Sequence, residues 1–262
     1  MPTYGYTISD LIWGVGGDAT NPKGGAWSKL ASRDDLVARG VYGWATDAIL
    51  ELSRNFRFPG LERTGPMITF NKGQISYTND SLIQASDAGR VTNLIPSFVR
   101  FFNPYSSTSG TNSSSCLDWK TVDALELMFN TPGVPSYFTR YGDEYKIAPV
   151  PDQNYTAYLR YQIEHPFTGS VTGNPQATAT DKFLLPSDWK LIAEFAIAEQ
   201  GAIVLRMNDY AQQYHQTIFG DPEFERSSGG RGNPGMIFRR ISQMEGDSIS
   251  MPRALRVVVN RS

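Results

Sequence analysis

Hydrophobic and polar positions along the chain change their period several times, and those changes divide it. Residues 6–13 carry Ser9 ahead of Leu11, Ile12 and Trp13, which predicts a short helix with Ser9 as its N-cap. The glycine-rich run at 14–27 then breaks any regular pattern. A second helix is expected after Ser32, with Asp34 and Asp35 in its first turn, where carboxylates suit the helix dipole. Val37, Val41, Trp44, Ala48 and Leu52 recur every three or four residues and stack on one face, until Pro59 and Gly60 end the pattern.

From about residue 64 the period becomes two. Residues 67–80 alternate around Asn71-Lys72-Gly73, which signals a hairpin, and residues 97–105 read as a strand. A serine-rich loop follows, and residues 117–130 are ambiguous between helix and strand. The sharpest pattern is at 145–166, two alternating runs around the turn sequence PVPDQN, which predicts a second hairpin. In its second run Tyr155, Ala157, Leu159, Tyr161 and Ile163 share one face, while Thr156, Tyr158, Arg160, Gln162 and Glu164 share the other. Residues 169–181 read as a loose loop.

Helical periodicity returns at 185–219, with Ser187 as the expected N-cap and Asp188 behind it. Trp189, Ile192, Ala196, Ile203, Met207, Tyr210 and Tyr214 form one stripe, and Leu191, Phe195, Ala198, Ala202 and Leu205 form another. A helix apolar on two faces packs between partners. Gly220 and Pro222 end it, RSSGGRGNPG reads as a flexible linker, and two short apolar and basic segments close the chain. The order predicts an α+β protein: a helical bundle (1–62 and 184–222) with an inserted β-rich, sandwich-like domain (63–183), then a linker and extended C-terminal arm (223–262).

Composition narrows the chemistry. A chain of 262 residues with 40% hydrophobic and 19% charged positions can bury a core. The single cysteine, Cys116, rules out an internal disulfide and a cysteine-based metal site, and reads as a small hydrophobe. The opening residues have no signal-peptide pattern, and no run approaches the roughly 18 apolar residues of a membrane span. The expectation is a soluble protein from a reducing compartment with no membrane partner. The net charge of -2 hides an asymmetry. From 226 to 262 seven arginines face only Glu245 and Asp247, giving +5 and leaving -7 for the rest. Such a tail suits an acidic partner, and arginine, outnumbering lysine 17 to 7, suits fixed interfaces.

The search for catalytic chemistry comes back nearly empty. His165 precedes a proline, His215 lacks a metal-binding partner one helical turn away, and no nucleophile elbow accompanies either. Asp118, Asp123 and Glu126 read as a solvated face. Gly14-Val15-Gly16-Gly17 resembles half a phosphate loop but lacks its lysine, and Gly229-Gly230-Arg231-Gly232 has no helix behind it. Arg239 and Arg240 beside Phe238 could touch phosphate and base, yet the chain as a whole is acidic and shows no recognition motif. No enzyme, cofactor or metal is expected. An apolar, β-prone stretch such as 255–259 can add a strand to a sheet edge or enter a groove, or else fold back on its own β-domain.

Four stretches carry a resemblance: LVARGVYGWATDAILELSRNFRF (36–58), PSYFTRYGDEYKIAPVPDQNYTAYLRYQIEHP (135–166), LPSDWKLIAEFAIAEQGAIVL (185–205), and the Gly/Pro linker with its basic tail. In this order they resemble the head-to-tail adaptors of tailed bacteriophages, head-tail connectors called tail tubular protein A in short-tailed phages. The resemblance implies a structural virion protein at the neck, made in the host cytoplasm and forming a dodecameric ring under the portal protein. The β-domain would face the downstream tail or nozzle protein, and DNA would pass through the lumen at ejection without sequence-specific binding. The arm would dock on the portal through Phe238, Arg239, Arg240, Arg253, Leu255, Arg256, Val257, Val258 and Val259. The alternative is a carbohydrate-binding or other structural tail or capsid component, suggested by the many aromatic residues and by Tyr158 on the wet face of its strand.

Overall fold

A computed structural model describes residues 5–56, 58–82, 100–106, 117–171, 173–220 and 235–236. It contains both helices and several small sheets, the α+β mixture expected. The chain divides into two units: Met1–Leu61 with His165–Ser262, and Glu62–Glu164.

The helical unit opens with α1 (Ile8–Trp13), and the cap is Thr7 rather than Ser9. The Thr7 hydroxyl accepts the Asp10 N–H at 3.2 Å, and the Asp10 carboxylate accepts the Thr7 N–H at 2.8 Å, a reciprocal capping box. A five-residue helix α2 (Gly25–Lys29) follows. Helix α3 runs Val41–Asn55 and starts at Gly40, not Ser32. Ser32 has a left-handed φ of 54°, and Asp35 is gripped by Arg33 and Arg39 at 2.6 and 3.1 Å, so 33–40 forms turns instead. The predicted face holds from Val41 onward: Val41, Trp44, Ala48 and Leu52 are buried, while Val37 is exposed. A single 3-10 turn, Pro59–Leu61, closes the segment, as Pro59 and Gly60 dictate.

The expected long helix is two. After a 3-10 turn at Ser187–Trp189, α6 spans Lys190–Val204 and α7 spans Asn208–Phe219. The chain reverses at Leu205–Met207, where Arg206 sits at φ 59°. Helix α7 lies back along α6: His215 meets Glu199 at 2.8 Å, and the Tyr214 and Phe195 rings lie 5.7 Å apart. The continuous stripe is thereby broken. Tyr214 is buried, with its hydroxyl donating to the Lys29 carbonyl, while Ile203 and Tyr210 are exposed.

Helix α6 packs against α1, α2, α3 and α7. Its alanines and Gly201 let neighbours come close, and a Cβ on Gly201 would lie 2.8 Å from the Trp44 ring and 2.9 Å from a Leu30 methyl. The Glu194 carboxylate, nearly buried, pairs with Lys29 at 2.8 Å and Lys190 at 2.7 Å, tying α2 to α6. Phe56 and Phe58 close on Trp189, with ring centroids at 5.2 and 4.8 Å. Residues 169–181 are more ordered than a loose loop. They hold a small hairpin, β10 (Gly169–Val171) with β11 (Asn174–Gln176), and the Ala177 N–H beyond it donates to the Thr46 hydroxyl at 2.8 Å.

In the β-rich unit, β1 (Glu62–Phe70), β9 (Tyr155–Gln162) and β3 (Arg100–Ser106) form an antiparallel sheet with β9 in the middle. A second sheet has the order β2 (Ser76–Thr78), β7 (Glu144–Ala148), β6 (Tyr137–Tyr141), β4 (Asp118–Trp119), with β4 parallel to β6. Short strands β5 (Pro132–Gly133) and β8 (Val150–Pro151) pair in parallel. Residues 79–82 form one helical turn, α4 (Asn79–Leu82), and the ambiguous 117–130 resolves as β4 followed by helix α5 (Val122–Glu126).

Neither predicted hairpin forms. Strand β7 pairs with β6 and β2, whereas β9 pairs with β1 and β3, so the two runs of 145–166 lie in different sheets. Pro149 and Pro151 have no N–H to donate, and the tighter turn is Gly142-Asp143, with Gly142 at φ 61° joining β6 to β7. Likewise β1 and β2 pair elsewhere, although the Asn71-Lys72-Gly73 turn survives. Gly73 donates to the Pro151 carbonyl at 2.9 Å and Asn71 donates to the Tyr77 hydroxyl at 2.9 Å. The apolar face predicted for β9 does hold, since Tyr155, Ala157, Leu159, Tyr161 and Ile163 are all buried, but Gln162, expected on the wet face, is buried as well.

The α6 contact yields a stability prediction. Gly201→Val should lower unfolding free energy by about 1–3 kcal/mol, because the new methyl groups must displace the Trp44 ring. Urea unfolding followed by tryptophan fluorescence measures it, and an unchanged midpoint would contradict the close approach.

Candidate functional site

Several described ionisable groups are committed to structure. His165 is 2% exposed, and its Nε2 accepts the Leu184 N–H at 3.1 Å. Its ring lies 4.6 Å from that of Phe167. Burial pushes its pKa down to about 4, partly offset by the nearby Asp181 carboxylate and the Lys182 backbone. A neutral imidazole whose acceptor nitrogen is already engaged is not placed as a general base. Asp181 is likewise committed. Burial raises its pKa, but donors from Thr168 and Thr178 outweigh that and lower it. This clasp also seats the chain start, since Ile8 donates to the Asp181 carbonyl at 2.9 Å and Phe183 donates to the Tyr6 carbonyl at 2.8 Å.

His215 is on the surface of α7 and bonds Glu199 of α6. Burial raises the Glu199 pKa, and the His215 contact works against that. Asp118, Asp123 and Glu126 are exposed, with Glu126 reaching Lys146 at 3.6 Å. Among the described residues no group of three or more His, Cys, Asp or Glu could hold a metal ion. The glycine loop after α1 is not a phosphate cradle. The Gly16 N–H points at Asp10 at 3.0 Å and the Gly17 N–H at the Gly14 carbonyl at 2.9 Å, so these donors are engaged and one faces a carboxylate.

The described residues also expose apolar surface. Ile203 and Val204 at the end of α6 and Tyr210 at the start of α7 are exposed around the reversal. Pattern reading missed them because it carried one stripe straight through. Asn208-Asp209, a helix-start signal inside the run, was the available hint. In the β-rich unit Met67, Leu127 and Tyr141 are exposed. The expected docking residues Phe238, Arg239, Arg240, Arg253, Leu255, Arg256, Val257, Val258 and Val259 lie outside the described residues, as do Cys116 and the side chain of Tyr158.

A family model described as SU10 adaptor protein matches residues 7–234. The chain belongs to the SU10 adaptor protein family. It is a structural adaptor of a phage, as the resemblance implied, and the match spans both units. It ends short of the basic residues at 238–259. Among curated proteins none matches the sequence. No helix among the described residues of this SU10 adaptor is long and apolar enough to cross a membrane.

The buried imidazole predicts a pH response. The folded state resists protonation down to about pH 4, whereas an unfolded histidine accepts a proton near its ordinary 6.5. Stability contributed by neutral His165 is therefore complete above about pH 6.5 and is lost as pH falls toward 4, a total of about 3 kcal/mol. His165→Gln keeps an acceptor for the Leu184 N–H but cannot titrate. Its unfolding midpoint should fall less steeply between pH 6.5 and 4.5 than that of the native chain, and parallel profiles would refute the assignment.

Proposed function

We propose that the chain is the head-to-tail adaptor at the neck of a tailed phage, forming a dodecameric ring beneath the portal protein. The observation that carries this reading is the family match across residues 7–234. In the ring, the helical unit acts as a bundle making side-to-side contacts between copies. The exposed Ile203, Val204 and Tyr210 supply apolar surface for such contacts. The inserted β-rich unit serves as a rigid, sandwich-like platform for the downstream tail or nozzle protein.

The charge distribution supports the remaining roles. The acidic body, -7 over residues 1–225, suits a lumen that passes DNA without retaining it, because carboxylates repel phosphate. Residues 226–262, at +5, supply forked guanidinium groups and the β-prone run 255–259 for docking on the portal. The insert is taken as Glu62–Glu164, ending earlier than the border at 183 expected from sequence, with the bundle on either side of it and the arm at 223–262. The function is assembly rather than catalysis.

Sedimentation with the portal ring of the same phage tests the proposal. The full chain should co-sediment, and a chain ending at Ser227 should lose most of its binding. Retention of full binding by the truncated chain would move the docking element out of the arm. No binding by either would refute portal attachment.

A further inference from the structure

Two exposed features of the helical unit each cost stability within a single chain. The first is the corner between α6 and α7. Helix α6 ends in a left-handed closing turn, in which the Met207 N–H donates to the Ala202 carbonyl at 2.8 Å and the Arg206 N–H to the Ile203 carbonyl at 3.1 Å. Glycine is the residue favoured at the left-handed position of such a turn, yet Arg206 occupies it, at φ 59°. Arg206 is exposed, and on the same corner Ile203, Val204 and Tyr210 are 52%, 56% and 46% exposed. The second feature is the outer face of α3. That helix buries Val41, Trp44, Ala48 and Leu52 and leaves Asp47 and Glu51 exposed. These carboxylates lie one helical turn apart, a like-charge pair that weakens a helix. Among the described residues neither Arg206 nor Asp47 has an ion-pair partner, and Glu51 accepts from the neutral Gln200 amide at 3.3 Å.

Helix α6 separates the two features. Trp44 of α3 meets α6 at Gly201, whereas Tyr214 and His215 of α7 meet it at Phe195 and Glu199. Positions two apart on a helix, such as 199 and 201, point about 200° away from each other. Helices α3 and α7 therefore flank α6 on different sides. A head-to-tail ring needs such a layout, because each copy shows one surface to the copy before it and a different surface to the copy after. We propose that the α6–α7 corner of one copy docks on the outer face of α3 in the next, with Asp47 and Glu51 receiving Arg206 while Ile203, Val204 and Tyr210 exclude water around them. This rests on the ring reading above and names the surfaces that the ring would use. Charge complementarity selects a second copy as the occupant, since the cation on one flank and the acidic pair on the other are matched within one chain. Arginine and tyrosine are also the side chains that most often anchor interfaces. The left-handed strain at Arg206 and the repulsion between Asp47 and Glu51 are then offset in the assembly.

Sedimentation velocity of the full-length chain, alone and with the portal ring of the same phage, reads association between copies. Arg206→Glu should weaken it on the order of tenfold, the loss of one anchoring contact. Asp47→Lys with Glu51→Lys should weaken it similarly, and all three changes in one chain should restore most of it. Arg206→Gly should also weaken association, while its melting temperature, followed by tryptophan fluorescence, stays unchanged or rises because the turn prefers glycine. A residue with a purely structural role could not show that opposition. Should a charge variant melt early, Arg206→Gly decides. Native association in Arg206→Gly, or a triple variant no better than its parents, overturns the proposed contact while leaving the ring intact. A native chain that stays monomeric both alone and with the portal fails the ring reading itself, and the contact with it.

Discussion

The helical unit depends on how closely its helices can approach α6. That helix touches α1, α2, α3 and α7, which is possible because its sequence is rich in alanine and because Gly201 presents bare backbone to Trp44 and Leu30. Trp44 belongs to α3, and Leu30 caps α2, so one missing side chain lets two elements reach the same stretch of α6. Packing at this density leaves no room for adjustment. The Glu194 pairs with Lys29 and Lys190, and the Tyr214 hydroxyl on the Lys29 carbonyl, then fix the rotation of α2 and α7 about α6. These polar contacts select the arrangement more than they supply energy, since desolvating ion pairs offsets much of their attraction.

Sequence pattern was a good guide to which face is buried and a poor guide to what lies beside it. The alternation in β9 correctly marked Tyr155, Ala157, Leu159, Tyr161 and Ile163 as core, because a period of two reports the side facing the interior. It could not report that β1 and β3 are the neighbours rather than β7, since pairing over long separations leaves no local signature. The buried face of α3 was legible from Val41 to Leu52 for the same reason, while its start was not. Ser32, Asp34 and Asp35 look like a cap and first turn, but the Arg33 and Arg39 forks take Asp35 into a turn of their own. The reversal after α6 was hidden because residues 203–210 contain neither glycine nor proline. Family membership was legible from the order of four stretches. The docking residues at 238–259 follow from the resemblance together with charge and β-propensity, and they lie outside the described residues.

The barren chemistry has a physical counterpart in how the polar groups are used. Asp10 accepts backbone donors at the start of α1, Asp181 clasps Thr168 and Thr178, and His165 holds Leu184. These three groups are instead satisfying backbone donors at a helix start or in a loop. A scaffold that must present fixed surfaces gains from this, because loops pinned by side chains lose less order on binding than free ones.

Charge and geometry divide the work of recognition in the proposed assembly. The +5 of residues 226–262, against -7 in the rest of the chain, can draw acidic surfaces in, but at physiological salt such attraction fades over about 8 Å. Within that range the acidic body of the same chain competes with any partner for the arm. Attraction alone therefore cannot decide where the arm goes, and a covalent tether that begins at the end of α7 leaves many destinations open. The proposed assembly therefore needs shape as well as charge, which a β-prone run such as 255–259 could supply by adding a strand to a partner's sheet edge.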